Sequence, residues 1–410
     1  MRGTDLELAD IFRQHGESYR QAHRSSSQQR RVMRAIEQCR TAHLGGHRDQ
    51  CSTCGYTRVS YNSCRNRHCP KCQSLAKARW LDEQRTHLLP VHYFHVVFTV
   101  PDQLAHLALQ NKRVVYNILF RAASETLRRI AQDPKHLGAQ IGFLAVLHTW
   151  GQTLMHHPHL HCVVPGGGLT PDGRGWVPCR PNFFLPVRVL SRLFQGFFLH
   201  YLKQAFRRGD LEFYGTLQHL SDGRAFDSFL AALRSVKWVV YAKRPFGGPA
   251  QVLDYLGRYT HRVAISNNRL LSIDDRKVTF SWKDYRNGNQ VRSMTLDTHE
   301  FIRRFLLHVL PDGFMRIRHY GLLSNSHREE KLAVCRELLE ATESVEATAS
   351  KSQDWKARYQ ALTGEAIDLC PECHQGRLLR VEVLQPSSHF WSPAFAVTEP
   401  VNAQAGLDSS

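Results

Sequence analysis

The chain has 410 residues, a formal net charge of +18 at pH 7 and a pI near 9.7. Its length suits two or three domains with a sizeable core, and its charge points to a polyanionic partner, most simply nucleic acid. No apolar stretch is long enough to span a membrane, and the opening Met1-Arg2-Gly3-Thr4-Asp5-Leu6-Glu7 lacks a signal-peptide core. No membrane partner and a cytoplasmic, nucleoid-associated location are therefore expected.

In chain order, Leu6 to Phe12 reads as a short amphipathic helix, and Ser25 to Cys39 as a second one with Ser25-Ser26-Ser27 as candidate caps. Six of the eleven cysteines then crowd between Cys39 and Cys72. In a reducing compartment that density means metal rather than disulfides. The two Cys-x2-Cys knuckles, Cys51/Cys54 and Cys69/Cys72, are read as one four-cysteine zinc site. Cys39, Cys64, His68 and one of His43 or His47, preferably His47, have the chemistry for a second zinc. Arg65, Arg67 and Lys71 surround the knuckles and suit DNA contact. A helix from Leu75 to Leu89 leads onward.

His92 to Val100 is a β-prone run stopped by Pro101, followed by an amphipathic helix over Asn111 to Ala131. Ile141 to Trp150 is a second strand candidate. It leads into His156-His157-Pro158-His159-Leu160-His161-Cys162-Val163-Val164. Alternate side chains of a strand share a face, so His159 and His161 project together and form half of a divalent-metal site. If these two strands form a hairpin, Gln152, His148, His156 or His157 supplies a third ligand, and Gln152 is preferred. The aromatic stripe from Leu190 to Phe206 reads as core, as does Phe226 to Leu233, and Trp238 to Lys243 as another strand. The mixture of helices with closely spaced strands gives an α+β class.

Gln251 to Arg262 reads as a helix, with Tyr255 and Tyr259 four residues apart on one face and Arg258 and Arg262 beside it. Tyrosine, with a pKa near 10, attacks a phosphodiester only when the phosphate is polarised. Mg2+ or Mn2+ held by His159, His161 and a third ligand would do that. The pattern fits covalent capture of DNA on tyrosine. Beyond it, short strands at 270–273, 277–282 and 290–296 precede a helix from Phe301 to Val309. Arg316 and Arg318 are candidate phosphate clamps. Cys370-x2-Cys373 is half a metal site without an evident partner, and 385–410 reads as a disordered tail.

The order of these motifs resembles the two-tyrosine rolling-circle transposases of IS91-type bacterial insertion sequences, in the His-hydrophobic-His endonuclease superfamily. The residues that carry the likeness are Ser63-Cys64-Arg65-Asn66-Arg67-His68-Cys69-Pro70-Lys71-Cys72, His157-Pro158-His159-Leu160-His161-Cys162, Tyr255-Leu256-Gly257-Arg258-Tyr259-Thr260-His261-Arg262 and Gly313 to Gly321. It implies a central antiparallel sheet that carries the histidines, flanked by helices and preceded by a small helical and zinc-ribbon region. It further implies single-stranded DNA at element ends and target DNA as partners. The expected division is 1–38 helical, 39–89 zinc-binding, 90–325 catalytic, 326–384 helical with the isolated cysteine pair, and 385–410 tail. A plasmid replication initiator or relaxase with the same chemistry, or a zinc-dependent DNA-binding regulator without catalysis, are the alternatives.

Overall fold

In the computed structural model of the chain, the described residues are 6–72, 74–246, 251–253, 255, 257, 264–285, 287–340 and 366–387. They divide into two units. The larger holds the described residues up to 39 and those from 64 to 367. Its centre is a five-stranded sheet made of β1 (Tyr93–Thr99), β2 (Gly142–Trp150), β3 (His156–Pro165), β4 (Val239–Phe246) and β5 (Ile317–Gly321). The spatial order is β5-β2-β3-β1-β4, and each neighbouring pair is antiparallel. Four of these strands are the β-branched and aromatic runs expected from the sequence, and β2 and β3 form the expected hairpin, closed by Gly151 N–H donating to Met155 O at 3.0 Å. The fifth was not anticipated. Ile317-Arg318-His319-Tyr320-Gly321 has no apolar alternation, and every residue in it is only half-buried. Its end is set by Gly321, whose φ of +60° and contact with the Ile141 carbonyl leave no room for a side chain.

One face of the sheet is the main core. Phe94, Val96 and Phe98 on β1, Phe143, Ala145 and Leu147 on β2, and Leu160, Cys162 and Val164 on β3 are all buried there. The helices Lys112–Gln132 and Val187–Arg207 cover it, and the second supplies the aromatic stripe, including Phe194 and Phe198 at 0% exposure. The stripe is packing, as its spacing implied. Each such ring contributes about 1.5–3 kcal/mol of burial, so this face anchors the sheet and leaves the opposite face for chemistry.

A second core joins the helices Leu8–Ala22 and Ser27–Glu37 to the meander Leu270–Asp274, Lys277–Asp284, Gln290–Asp297 and the helix Thr298–Leu307. Phe12 meets Phe305 edge-on at 5.5 Å. Ser26 caps the second helix by accepting from Gln29 N, while the Gln29 side chain returns the bond.

Buried histidines make this unit acid-sensitive. His308 donates from Nε2 to Leu154 O at 3.0 Å and accepts at Nδ1 from the Thr149 hydroxyl at 3.1 Å. Burial pushes it down to about 3, and His156 down to about 2. The unfolded chain takes up these protons near pH 6.5 and the folded chain does not. Stability is therefore complete above about pH 6.5 and falls as the pH drops toward the folded values, by up to about 1.4 kcal/mol per pH unit for each histidine. The expected result is a urea midpoint flat above about pH 7 and falling steadily below about 6.5; a midpoint constant down to about pH 5 contradicts it.

The smaller unit contains the described residues 40–63 and 368–387. Gly46–Cys51 lies between Thr57–Tyr61 and Leu378–Leu384 in a three-stranded antiparallel sheet. The segment expected to be helical up to residue 384 thus ends in a strand, and Ser387 N–H donates to Ala42 O. Residues 388–410 of the expected tail lie outside the described residues. Among the described residues, no helix is long and apolar enough to cross a membrane.

Candidate metal and tyrosine site

Strand register builds the site on the face turned away from the main core. His159 pairs with His148 on β2 and with Thr99 on β1. His161, two residues on, pairs with Val146 and Val97, and His95 pairs with Val163. Because strand side chains alternate, His95, His148, His159 and His161 all project from this one face. Ligand nitrogens of His148, His159 and His161 lie within 4.8 Å of one another. The rings of His148 and His161 are 4.4 Å apart, and those of His159 and His161 are 4.8 Å apart.

Hydrogen bonds set the imidazole tautomers. His159 Nδ1 lies 2.7 Å from the His157 carbonyl, which can only accept, so Nδ1 carries the hydrogen and Nε2 keeps its lone pair. Burial lowers His159 to about 4 and His161 well below the ordinary histidine range. Both rings are thus neutral at physiological pH, the form that binds metal.

Tyr255 lies over this face with Val252, packed against Leu144, Val146 and Val163. The surrounding positions 251–253, 255 and 257 are helical. Gly257, read from the sequence as a cost to that helix, has a packing reason. A Cβ there would sit 3.0 Å from Leu81 Cδ1 and 3.2 Å from Lys77 Cε, on the helix Ser74–Arg85. Tyr255 is 8% exposed. Its hydroxyl is 2.9 Å from His161 Nδ1 and 2.6 Å from His95 Nε2, and those two nitrogens are 2.8 Å apart. Burial holds His95 down at about 3. Tyr259, Arg258 and Arg262 lie outside the described residues.

The imidazole brought to the pair is His148, one of the four candidates read from the sequence. Gln152 Nε2 donates to the Tyr285 hydroxyl at 3.3 Å, and its Oε1 accepts from Lys283 N at 3.4 Å. The cysteines sort differently from the expected grouping. Cys51/Cys54 and Cys69/Cys72 belong to different clusters. Cys69 and Cys72 join Cys39 and Cys64 in one cluster, while Cys51 and Cys54 join Cys370 and Cys373 in another, with the sulfurs of each within 4.8 Å of one another. The two histidines assigned to a second zinc are engaged elsewhere. His68 Nε2 accepts from Leu310 N at 3.2 Å, and His47 Nε2 is 3.4 Å from an Asp49 carboxylate oxygen.

Several basic residues read as DNA contacts also make bonds within the fold. Arg67 donates to Phe314 O at 2.6 Å and Pro311 O at 3.2 Å. Arg318 stacks 4.1 Å over the Phe120 ring and donates to Asn117 Oδ1 at 2.6 Å. Arg316 is desolvated enough to be lowered to about 10, and Lys71 pairs with Glu7 at 2.7 Å. Arg65 alone of the described set is exposed. The sequence reading missed His95, whose only signal is its place in a strand neighbouring the histidine pair.

Residues 11–100 match a family described as "Transposase zinc-binding domain", and residues 142–331 match one described as "Putative transposase". The chain is 60% identical over 384 residues to "Putative transposase y4qJ" of Sinorhizobium fredii, covering 93% of this chain and 96% of that one. It is 28% identical over 290 residues to "Transposase for insertion sequence element IS801" of Pseudomonas savastanoi pv. phaseolicola, covering 70% and 68%. No solved structure matches. With a relative this similar along nearly its whole length, and both family regions in the expected order, the chain belongs to the IS91-type transposase family.

Proposed function

We propose that this transposase nicks single-stranded DNA at the ends of an insertion sequence and transfers the strand to a target through a covalent phosphotyrosine, with Tyr255 and Tyr259 as nucleophiles. The observation that carries this reading is the Tyr255 hydroxyl 2.9 Å from His161 on the sheet face where three imidazoles converge. His148, His159 and His161 would hold Mg2+ or Mn2+, which when bound polarises phosphate oxygens and offsets charge developing at phosphorus. The residues fit such an ion: three converging imidazoles, of which His159 and His161 are held neutral by desolvation and His159 has its tautomer fixed by a carbonyl. An all-nitrogen set suits Mn2+ better than Mg2+.

The chain's own groups then have distinct roles. With Nδ1 of His161 donating to the Tyr255 oxygen, the Tyr255 hydrogen is directed at His95 Nε2, the short 2.6 Å contact. His95, kept neutral by burial, orients the hydroxyl. The tyrosine oxygen attacks phosphorus as its proton passes to His95 Nε2, the P–O3′ bond breaks, and the departing 3′-oxygen takes up a proton to become a hydroxyl. The phosphotyrosine bond conserves the energy of the phosphodiester, so a 3′-hydroxyl of a second strand can reverse the reaction and release tyrosine. A second tyrosine allows two strands to be handled in succession. On the edge strand β4, Tyr241 lies in the same cross-strand row as Val97 and His161 and is 54% exposed. Two strand spacings place it roughly 10 Å from His161, suited to stacking on a base next to the reacting phosphate.

The test is a denaturing gel of labelled single-stranded oligonucleotides carrying terminal sequences of the element, incubated with Mn2+ or Mg2+. Wild type is expected to give a protein–DNA adduct, and Tyr255→Phe combined with Tyr259→Phe to give none. An adduct that survives the double substitution, or cleavage products released with no adduct at any time, refutes the tyrosine chemistry. DNA binding indifferent to metal, without cleavage, would favour a regulator.

A further inference from the structure

We propose that Cys51, Cys54, Cys370 and Cys373 bind a zinc ion of their own, which folds a module assembled from two stretches of chain more than 300 residues apart. Cys370 and Cys373 lie outside both matched family regions, 11–100 and 142–331. The inference is independent of the cleavage chemistry.

The sulfur geometry is that of a tetrahedral thiolate site. Cys51 Sγ is 3.7 Å from Cys373 Sγ, and Cys54 Sγ is 3.6 Å from Cys370 Sγ. Four Zn–S bonds of about 2.3 Å at tetrahedral angles put sulfurs about 3.8 Å apart, whereas a disulfide holds them near 2 Å. The surrounding backbone is shaped for thiolates. Thr53 N and Cys54 N point at Cys51 Sγ from 3.4 and 3.5 Å, and Gly376 N points at Cys373 Sγ from 3.3 Å. The two knuckles turn alike, because the residue after each second cysteine, Gly55 at φ +74° and His374 at φ +50°, is in the left-handed region. Gly376 has no room for a side chain, since a Cβ would strike Cys51 Sγ.

The unit needs the metal. Among its described residues, the buried apolar cluster is Cys51, Cys370 and Leu378, with Tyr56 and Cys373 packed against it. Two of those three buried residues are themselves ligands. So small a core cannot offset the cost of ordering the unit, and in such cases a structural metal supplies the folding free energy. Antiparallel pairing of Gly46–Cys51 with Leu378–Leu384, register Cys51 to Leu378, brings the knuckles together. Ser52 N donates across to Arg377 O, so each knuckle braces the other. The segment near the C-terminus is thus a structural part of the cysteine-rich region, and the module can close only after that segment has been made.

Full-length protein produced with cobalt in place of zinc tests this, because the thiolate-to-cobalt absorption band reports cysteine sites and is blind to the imidazole cluster. Wild type is expected to show two tetrahedral thiolate sites per chain. Cys370→Ser with Cys373→Ser is expected to show one, as is Cys39→Ser with Cys64→Ser. In the first variant, amide exchange protection is lost across residues 46–61 and retained in β2 and β3. A thiolate site count unchanged in the Cys370/Cys373 variant, no thiolate site left in the Cys39/Cys64 variant, or unchanged protection across 46–61 in the first variant would each overturn the proposal. If the Cys370/Cys373 variant does not accumulate, the Cys39/Cys64 variant still decides: one remaining site supports the proposal and none overturns it.

Discussion

Alanine in place of His148 is expected to reduce metal-dependent DNA cleavage by about 10²–10³-fold, while Gln152→Ala stays within about threefold of wild type. The difference follows from strand register. His148 faces His159 directly across the β2–β3 pair, and its ring is 4.4 Å from that of His161. Without it, two imidazoles remain to hold a divalent ion whose role is to neutralise charge at phosphorus, a task in which a single lost stabilising group commonly costs that much. Gln152 instead spends its carboxamide on the meander through Tyr285 and Lys283. Mn2+ affinity, measured by calorimetry on DNA-free protein, separates a ligand from a group that merely shapes the site. His148→Ala should weaken it and Gln152→Ala should not. Cleavage and Mn2+ affinity both retained in His148→Ala, and both lost in Gln152→Ala, would restore the glutamine.

How far the sequence could be read depended on whether a feature is local. Strands bounded by proline and rich in β-branched residues, the aromatic stripe of Val187–Arg207, and the alternation that puts His159 and His161 on one face are local patterns, and the structure contains them. His148 depends on something non-local. Its side chain meets the pair only because the Gly151–Met155 turn sets His148 opposite His159, with an irregularity between His148 and Trp150. Shifting the register by one residue would turn it to the core face, and nothing in the string of residues fixes that shift. His95 arrives from a third strand and is further still from any local signal.

The cysteines fail for the same reason. Closeness in sequence paired Cys51/Cys54 with Cys69/Cys72, whereas strand pairing delivers Cys370/Cys373 to the first knuckle, and the end of the Ser27–Glu37 helix delivers Cys39 to the second. A countable signal was present. Setting aside Cys162, Cys179 and Cys335, eight cysteines remain, two complete sets of four. The isolated pair was the missing half of a site. The basic residues are ambiguous for a different reason. A guanidinium that suits a phosphate also suits a carbonyl or an aromatic face, and Arg67 and Arg318 are used that way.

Cys64→Ser is expected to destabilise the larger unit by about 3–5 kcal/mol and to release one zinc, well beyond an ordinary point substitution. Cys39 and Cys69 are buried at 0% and 1% exposure, and Cys64 and Cys72 pack against the core formed by the helices Leu8–Ala22 and Ser27–Glu37 and the meander. Cys64 and Cys72 sulfurs are 3.6 Å apart, the edge of a tetrahedron. A zinc there would tie residues 64–72 to the end of a helix, so three remaining thiolates would be left desolvated around a weakened ion. The loss should be regional: amide protection falling over 8–37 while β2 and β3 hold. Cys162→Ala supplies the contrast. That thiol is also fully buried, in the apolar face of β3, yet it belongs to neither cysteine cluster. Removing it deletes one small buried group, at a cost of about 1 kcal/mol. Equal melting shifts for the two variants, with zinc content unchanged in Cys64→Ser, would mean that the cluster is packing and not a metal site.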